Sequence, residues 1–549
     1  MNGTWTSPAQ APEAEAEGSR RSLWQVFADL FEKNPLANGI MIFAIVIGFF
    51  HGWLKIKYRS PLTTFAFDIP IVLTMAVTLL TRRKESLFPN SPVGDALKFH
   101  TFVCLLYVPL SMMIWDVYPL AVVASFRGWC VIPLIFLVGY HLSTSIRQVE
   151  FYMWMMVGLG FLTAIYGINQ SEDEVRRLML ADPELEYRFR NQFYAVNGVS
   201  QFRRFSTYVS AAAFAAQLAY STMFAFSRLS VKTCPSVERF ILAGMAGVMT
   251  YALILTGARS GLLQLVAGVL VALWYRRGGI GFLLLPIVFT LAWKAGIATT
   301  SGGSTDRFSS LLQSDTVWSR FWIVLEPSVG AFLDAPFGTG LGSSSHGVPM
   351  FLVSRLKSFR PIDGDLGHLV VDMGFIGLVT IGFLFFQCSR CAVRWMVRLR
   401  DTPVTVVALP AGIFIFESIL AFPIGTPFLG IPYGYLLWFF FGCLSRMSDD
   451  YEVAVASGVT STVRFREKFT SFIAAPKMRP LFRPEPVVPG SSLVPVAPAP
   501  SAMRVVGIVA PSASRVGADA PAPGPSGGQS PRNSPAAKRF LFQKKPRNG

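Results

Sequence analysis

The sequence predicts an all-α polytopic membrane protein with about twelve transmembrane helices. Of its 549 residues, 52% are hydrophobic and only 15% are charged, whereas soluble proteins carry about 25% charged residues. Several windows contain almost no charge over about 20 residues, the length that a helix needs to cross a hydrocarbon core of about 30 Å. The net charge of +17 comes from Lys and Arg between these windows, an arrangement that membrane topology explains better than nucleic-acid binding.

Residues 1–35 predict a cytoplasmic N-terminal segment. Residues 1–20 are polar, and "SLWQVFADLFEKNP" then spaces its large apolar residues as an amphipathic helix does. Trp24, Phe27, Leu30 and Phe31 fall on one side of that helix. We therefore expect the helix to lie on the membrane surface.

Residues 36–446 predict the transmembrane domain. The predicted spans are 36–54, 61–81, 99–117, 119–140, 149–168, 206–227, 237–256, 260–275, 279–297, 368–388, 403–423 and 427–446. With a cytoplasmic N-terminus, the inner connections hold fourteen Lys and Arg and the short outer connections hold four. Although "KIKYR" supplies three of those four, the asymmetry favours both termini on the cytoplasmic side.

Two long outer segments and a C-terminal tail complete the chain. The outer segments cover 169–205 and 298–367, and long loops within compact proteins are usually functional. Residues 447–549 are rich in Pro, Ala, Ser and Gly. Such a composition buries too little apolar surface to fold, so we predict a disordered cytoplasmic tail.

Three arginines lie where an anion could bind near the outer face. Arg259 stands in "TGARSG", where Gly257 and Gly261 predict a tight turn at the outer membrane edge. Arg203 and Arg204 immediately precede the sixth span. Guanidinium groups close to a helix N-terminus suit a phosphate, although interfacial anchoring would place arginines here as well.

The second outer segment contains a predicted surface helix and a glycine motif. "DTVWSRFWIVLEPSVGAFLDAP" has an amphipathic pattern and carries Arg320. "FGTGLGSSSHG" follows with Gly338, Gly340 and Gly342. Because no strand precedes this motif, it is not a nucleotide-binding loop. We expect the glycines to let the backbone approach a ligand or another loop.

Acids and histidines near the tenth span are candidates for proton transfer. His346 follows the glycine motif, and Asp363 and Asp365 form a D-x-D pair. That spacing holds a metal in many sugar-nucleotide transferases, but nucleotide sugars are cytoplasmic and this segment is predicted outside, so we expect no metal. Asp372 lies four residues into the tenth span, where an acid faces protein or a cavity.

These motifs together resemble the O-antigen ligase and O-antigen polymerase superfamily of bacterial envelope glycan assembly. "RRFSTYVSAAAFAAQLA" is similar to the family's Arg-led helix entry, and "LTGARSGLLQLVAGVLVALW" to its T-G-S-R-S-G/A turn. "SRFWIVLEPSVGAFLDAPFGTGLG" resembles its helix leading into G-x-G-x-G, and "DGDLGHLVVDMGFIGL" its final element. The resemblance covers about residues 195–378. Asp363-Gly364 stands where many ligases have His-Asn, and Asp372 stands where a glutamate is usual.

The resemblance implies a GT-C-type fold with a large periplasmic loop. It implies transfer of a glycan from undecaprenyl diphosphate at the periplasmic face of the inner membrane, without metal, nucleotide or cofactor. The diphosphate would be bound by arginines, namely Arg203, Arg204, Arg259 and Arg320. An outer-loop base would deprotonate the acceptor hydroxyl. His346, Asp363 and His368 are rival bases, with Asp372 a further catalytic candidate.

The preferred function is a polymerase that joins lipid-linked repeat units of an exopolysaccharide or O-antigen. A ligase that moves glycan onto lipid A core or protein uses the same chemistry. A twelve-helix transporter or flippase is the alternative from another class, and charges at mid-membrane, for which Arg127 and Asp68 are the candidates, would favour it. Expected partners are the lipid-linked donor, a glycan acceptor and inner-membrane lipids, with a flippase and a chain-length regulator as companions of a polymerase.

Overall fold

The structure is a computed structural model that describes most of residues 34–456. The described ranges are 34–58, 63, 66–81, 86–143, 145–181, 192–196, 199–229, 234–277, 314–344, 362, 364–400, 404–423, 425–426 and 430–456. Every described residue belongs to one compact unit, Met1–Ala474. The predicted surface helix before residue 34, the ninth span 279–297 and the tail beyond 456 lie outside the described residues.

The described chain is helical, apart from one short hairpin. Its helices are α1 Pro35–Lys57, α2 Asp68–Thr81, α3 Pro92–Met113, α4 Pro119–Phe126, α5 Ile132–Leu142, α6 Ile146–Asn169, α7 Glu172–Ala181, α8 Ala211–Leu229, α9 Ser236–Leu255, α10 Arg259–Arg277, α11 Ser314–Asp334, α12 Asp365–Arg398, α13 Thr405–Ala421 and α14 Tyr433–Ala456. A π-helical turn, Arg127–Val131, joins α4 to α5. The antiparallel hairpin pairs β1 Phe193–Val196 with β2 Val199–Phe202.

Length and composition make this a helical membrane protein. Among the described residues, six helical segments are long and apolar enough to cross a membrane: Pro35–Lys57, Pro92–Met113, Pro119–Leu142, Ile146–Asn169, Ser236–Leu255 and Asp365–Arg398. Shorter apolar helices cover Asp68–Thr81, Ser260–Ala272 and Val407–Ala421. A described helix overlaps every predicted span except the ninth, and the count of twelve crossings stays a prediction.

Local sequence explains where several helices begin. Pro35, Pro92 and Pro119 each occupy the first turn of a helix, where the missing N–H has no intrahelical partner to lose. Ser91 accepts a hydrogen bond from the backbone N–H of Gly94 at 3.1 Å, and Ser145 caps α6 in the same way. These signals are local, so they can be read from the sequence.

The core lies around α8 and α14, whose side chains are buried on nearly all sides. Aromatic rings fill the contact of α8 with α13 and α14: Tyr220 packs edge-on against Phe414 at 4.2 Å between ring centroids, and Phe224 lies 4.6 Å from Phe440. Between α5 and α14, a Cβ at Gly139 or at Gly442 would overlap the backbone of the opposite helix. Small residues thus let the two backbones approach closely, as they do in many membrane helix pairs.

Several elements differ from the predicted boundaries. Helix α12 extends from Asp365 to Arg398 and α14 to Ala456, past the predicted ends at 388 and 446. The apolar pattern stops there but the helices do not, because charged side chains continue them, and Arg398 on α12 pairs with Glu452 on α14. Helix α12 also kinks at Gly374, whose φ is 56°.

Candidate functional site

The "TGARSG" stretch forms the turn between α9 and α10, as predicted. Helix α9 ends at Leu255 and α10 begins at Arg259. Gly257 has a φ of 59°, a conformation that favours glycine. The Thr256 hydroxyl accepts from the Ala258 N–H at 3.0 Å and donates to the Leu253 carbonyl at 2.6 Å. The turn is therefore closed by its own side chain.

Gly261 does not take part in that turn, so the prediction for it was wrong. It lies within α10, where a Cβ would come to 2.6 Å from the Cβ of Ala215 on α8. A position in the first turn of a helix can face a neighbouring helix, and sequence spacing alone does not reveal the neighbour. Gly261 instead allows α10 to pack closely against α8.

Arg203 joins the two arginine motifs. It follows strand β2, and its backbone N–H donates to the Gln192 carbonyl at 2.8 Å. Its Nε donates to the Thr256 carbonyl at 3.1 Å, so the "RRF" segment touches the turn that leads into Arg259. Carbonyls at the end of a helix carry partial negative charge, which favours a cation there.

Arg204 makes an equivalent contact at another helix end. One of its terminal nitrogens donates to the Gly167 carbonyl in the last turn of α6 at 3.3 Å. Partial burial lowers the pKa of the Arg204 guanidinium, yet arginine titrates so far above neutral pH that it keeps its charge. Both arginines are partly buried.

The chain around these arginines is held rigidly by glutamine side chains. Gln170 Oε1 accepts from the backbone N–H groups of Phe205 and Ser206, each at 3.1 Å. Gln192 Oε1 accepts from the N–H of Ala211, the first residue of α8. That N–H is therefore already used inside the protein and is not available to an anion beside Arg203.

The remaining predicted diphosphate residues are only partly described. Arg259 is the first residue of α10, and Arg320 lies within α11. The side chains of both lie outside the part of the chain that the structure describes. The helix predicted around Arg320 is confirmed, and its position at a membrane surface stays a prediction.

The three glycines of the G-x-G-x-G motif all adopt backbone conformations that favour glycine. The φ values of Gly338, Gly340 and Gly342 are 79°, 95° and 90°. We call residues 337–344 the glycine loop. A side chain at these positions would strain the backbone by about 1–2 kcal/mol per residue, so the motif is required by the loop's own shape.

The glycine loop packs against the backbone of α12. A Cβ at Gly338 would come to 2.8 Å from the carbonyl carbon of Asp372. The Thr339 N–H donates to the Val371 carbonyl at 2.7 Å, and the Phe375 N–H donates to the Pro336 carbonyl at 2.7 Å. The kink at Gly374 leaves room for this contact, because a Cβ there would overlap Pro336. The glycines therefore let the loop approach the backbone of a helix. The sequence predicted a close approach to a ligand or to another loop, and a ligand at this loop stays a prediction.

Asp372 fastens the glycine loop to the rest of the bundle. Its Oδ1 accepts from the Ser344 N–H at 3.0 Å. Its Oδ2 accepts from the Ser125 hydroxyl at 2.7 Å and from the Trp129 indole N–H at 3.0 Å. The side chain is fully buried, so it faces protein, as predicted. Three donors on one carboxylate suit a positioning residue, and its role in proton transfer stays a prediction.

The π-helical turn that carries Trp129 also organises a second buried group of polar residues. Arg127 donates to Asp68 Oδ2 at 2.6 Å, and the Tyr435 hydroxyl donates to Asp68 Oδ1 at 2.5 Å. The Trp129 carbonyl accepts from His100 Nε2 at 2.8 Å. Single π-helical turns recur at functional sites. Here the turn places Arg127 against its counter-ion, while Trp129 reaches Asp372.

The first turns of α12 bring several candidate residues onto one face. Asp365, His368 and Asp372 are spaced i, i+3 and i+7, which places them on the same side of a helix. Asp365 is fully buried and His368 is partly buried. His346 and Asp363, the other rival bases, lie outside the described residues. Within the described part, no three His, Cys, Asp or Glu side chains converge as metal ligands would.

Sequence reasoning missed a buried acid in α13. Glu417 is 1% exposed and lies in the predicted span 403–423. The signal was present, because "AGIFIFESILAF" contains one acid in an otherwise uncharged run. An ionisable residue inside a membrane-spanning segment is a functional candidate by default.

Comparison with known proteins assigns no family. No family model matches the sequence, and no curated protein matches it.

Proposed function

We propose that this chain is a membrane glycosyltransferase that joins lipid-linked oligosaccharide repeat units into a polymer. The observation that supports this most is the bond from Arg203 Nε to the Thr256 carbonyl. It brings the segment with Arg203 and Arg204 to the turn that precedes Arg259. The backbones of two motifs that are more than fifty residues apart in the sequence thus come together.

In the proposed reaction, a hydroxyl of the acceptor glycan attacks the anomeric carbon of the donor. The bond from that carbon to the diphosphate oxygen breaks, and the bonding electrons leave with the polyprenyl diphosphate. Arg203, Arg204 and Arg259, with Arg320, would stabilise the negative charge that develops on the leaving group. The rigid segment around Gln170 and Gln192 would hold the first two in place before the reaction begins.

The proton of the acceptor hydroxyl would pass to a base on or near α12. His368 is the described candidate with partial exposure, whereas Asp372 already accepts three hydrogen bonds. His346 and Asp363 remain rivals. The proposed chemistry needs no metal, nucleotide or other cofactor.

The proposal includes the setting of the reaction. We place the chain in a bacterial inner membrane with twelve crossings, a GT-C-type arrangement, both termini in the cytoplasm and the arginines at the periplasmic face. The donor comes from a lipid-linked pool that a flippase delivers, and a chain-length regulator would act on the product. A ligase that transfers the finished glycan to lipid A core or protein would use the same arginines, because only the acceptor differs.

One observation favours a second candidate, a transporter or flippase. Glu417 lies buried in an apolar helix, and Arg127 pairs with Asp68 inside the bundle. Buried ionisable residues of this kind mark ion and substrate pathways in many membrane proteins. A strain that lacks this chain distinguishes the two functions. Without a polymerase, the lipid-linked intermediate should accumulate in the outer leaflet; without a flippase, it should be missing there.

The test uses Arg259→Ala, Arg259→Lys and Arg203→Ala in a strain that lacks the chain. Losing one preorganised cationic donor should slow transfer by about 10²–10³. Lysine should restore it only in part, because an ammonium cannot bind two phosphate oxygens as a fork. The measurements are the polymer ladder, the amount of unused lipid-linked unit and the amount of the variant in the membrane.

Arg177→Ala is the matched control. Arg177 lies in the same outer segment, on α7, with an exposed side chain, and a change at such a site usually stays within about 0.5 kcal/mol. We expect a normal ladder from this variant. Normal ladders from all three test variants as well would reject the diphosphate role and leave the arginines as interfacial anchors.

A further inference from the structure

Two fully buried acids in this bundle have opposite surroundings. Asp372 accepts hydrogen bonds from Ser125, Trp129 and Ser344. Glu417 accepts none from the described residues: both of its carboxylate oxygens are buried without a hydrogen-bond partner there. The two acids therefore differ in how their charge could be stabilised.

Glu417 lies where α8, α10 and α13 meet. On α10, Gly268 faces it so closely that a Cβ would overlap both Glu417 Oε1 and the Met223 sulfur. The Glu417 carboxyl group thus occupies the space that is open because Gly268 has no side chain. A glycine of this kind supports close helix packing, and here it admits a polar group into the contact.

The groups around Glu417 include no counter-ion in the described part of the chain. From α8, the Tyr220 hydroxyl bonds to the hydroxyl of Ser418, the residue after Glu417, at 3.1 Å. The Tyr220 ring packs against Tyr433 on α14 at 5.7 Å between ring centroids, and both Glu417 and Asp365 on α12 interact electrostatically with Tyr220. On α10, Gln264 lies one turn before Gly268 and is uncharged. None of these groups can neutralise a carboxylate.

An ionised carboxylate without a counter-ion or donor is very costly in an apolar interior, and such groups take up a proton instead. We propose that Glu417 is a proton-binding site, which holds its proton as a neutral carboxylic acid in this conformation and releases it only when water reaches the contact of α8, α10 and α13. Asp372, in contrast, has hydrogen-bond donors on both of its carboxylate oxygens. This inference concerns α13 and does not depend on glycan transfer.

The position of the site gives proton release a structural consequence. Gly268 is nine residues beyond Arg259 on α10, or about 13 Å along the helix at 1.5 Å per residue. A carboxylate formed opposite Gly268 would need water around it, so release would loosen the packing of α10 against α13. The orientation of the helix that begins with Arg259 would then depend on the proton at Glu417.

The first experiment is labelling of the purified full-length protein in detergent with dicyclohexylcarbodiimide, an apolar reagent. A protonated carboxyl gives its proton to one carbodiimide nitrogen while its oxygen bonds to the central carbon. The adduct then rearranges to a stable N-acylurea, which mass spectrometry of the peptides locates. We expect labelling of Glu417 that declines as pH rises, no labelling of Asp372, and no labelling at position 417 in Glu417→Gln.

Addition of Na⁺, with choline as the control ion, distinguishes a proton-binding site from a site for a metal cation. Protection of Glu417 by Na⁺ but not by choline would show a cation site and overturn the proposal. Labelling that is insensitive to both ions supports a proton.

If the reagent fails to reach the site, infrared difference spectra between the wild type and Glu417→Gln show directly whether the Glu417 carboxyl is protonated. Glutamine matches glutamate in size, so the variant should fold. A band of a protonated carboxyl at neutral pH should be present in the wild type and absent from the variant. If the difference instead shows the bands of an ionised carboxylate, Glu417 is charged and the proposal is wrong, whatever the labelling result.

Discussion

Replacement of Asp372 by asparagine tests whether this acid positions the glycine loop or takes part in the chemistry. Asparagine keeps the shape of the side chain but replaces one oxygen by an NH₂ group. In one orientation, the NH₂ group faces the indole N–H of Trp129, and in the other it faces the backbone N–H of Ser344. Neither of these N–H groups can accept a hydrogen bond from the NH₂ group. Ser125 can adapt, because its hydroxyl can turn to accept.

Each orientation therefore leaves one buried N–H without an acceptor, which costs about 1–3 kcal/mol. The bonds that remain also lose the contribution of a charged acceptor, worth about 1 kcal/mol each. We expect Asp372→Asn to lose about 2–4 kcal/mol of stability. Ser125→Ala removes a single donor and leaves the other two bonds, so it should lose about 1–2 kcal/mol.

The six cysteines provide the assay, because all of them are buried and free. A fluorogenic thiol reagent reports unfolding of the detergent-solubilised protein as these side chains become accessible. The apparent Tm should fall in the order wild type, Ser125→Ala, Asp372→Asn. Asp95→Asn is the matched control, since Asp95 is exposed and pairs with Lys98 in its own helix, and a change there should stay within about 0.5 kcal/mol.

A wild-type Tm for Asp372→Asn would refute this reasoning. If that variant also abolished glycan transfer at normal abundance, the acid would act chemically, as the sequence alone suggested. A lower Tm with transfer that recovers at reduced temperature would support the positioning role.

Two further predictions concern topology and the tail. Single cysteines introduced near residues 185 and 345 should react with a membrane-impermeant reagent in intact spheroplasts, whereas one at 500 should stay protected; the reverse pattern would invert the topology. Deletion of 457–549, which begins after the end of α14, should leave transfer intact because its composition cannot form a packed core, although chain length could change. Loss of all polymer at normal membrane abundance would show that the tail is needed for the reaction itself.

Local features of the sequence determined the helices. Uncharged runs of about twenty residues must form helices in a bilayer, since every backbone N–H and C=O has to be bonded within the segment. The turn at Gly257 and the helix around Arg320 were likewise readable, because glycine conformation and amphipathic spacing are local properties. Helix ends were less readable: charged residues continue α12 and α14 beyond their apolar runs, and the pairing of Arg398 with Glu452 depends on two distant segments.

Only the tertiary structure decided what the candidate residues touch. The sequence placed Gly261 in a turn, but Ala215 on another helix explains it. It could not show that the glycine loop packs on α12, or that Asp372 accepts hydrogen bonds from Ser125, Trp129 and Ser344 in other segments. Glu417 was overlooked as one acid in an apolar run, because its lack of a partner becomes visible only when α8, α10 and α13 are assembled. Burial and pairing are properties of contacts between segments, so they do not follow from the order of residues within any one of them.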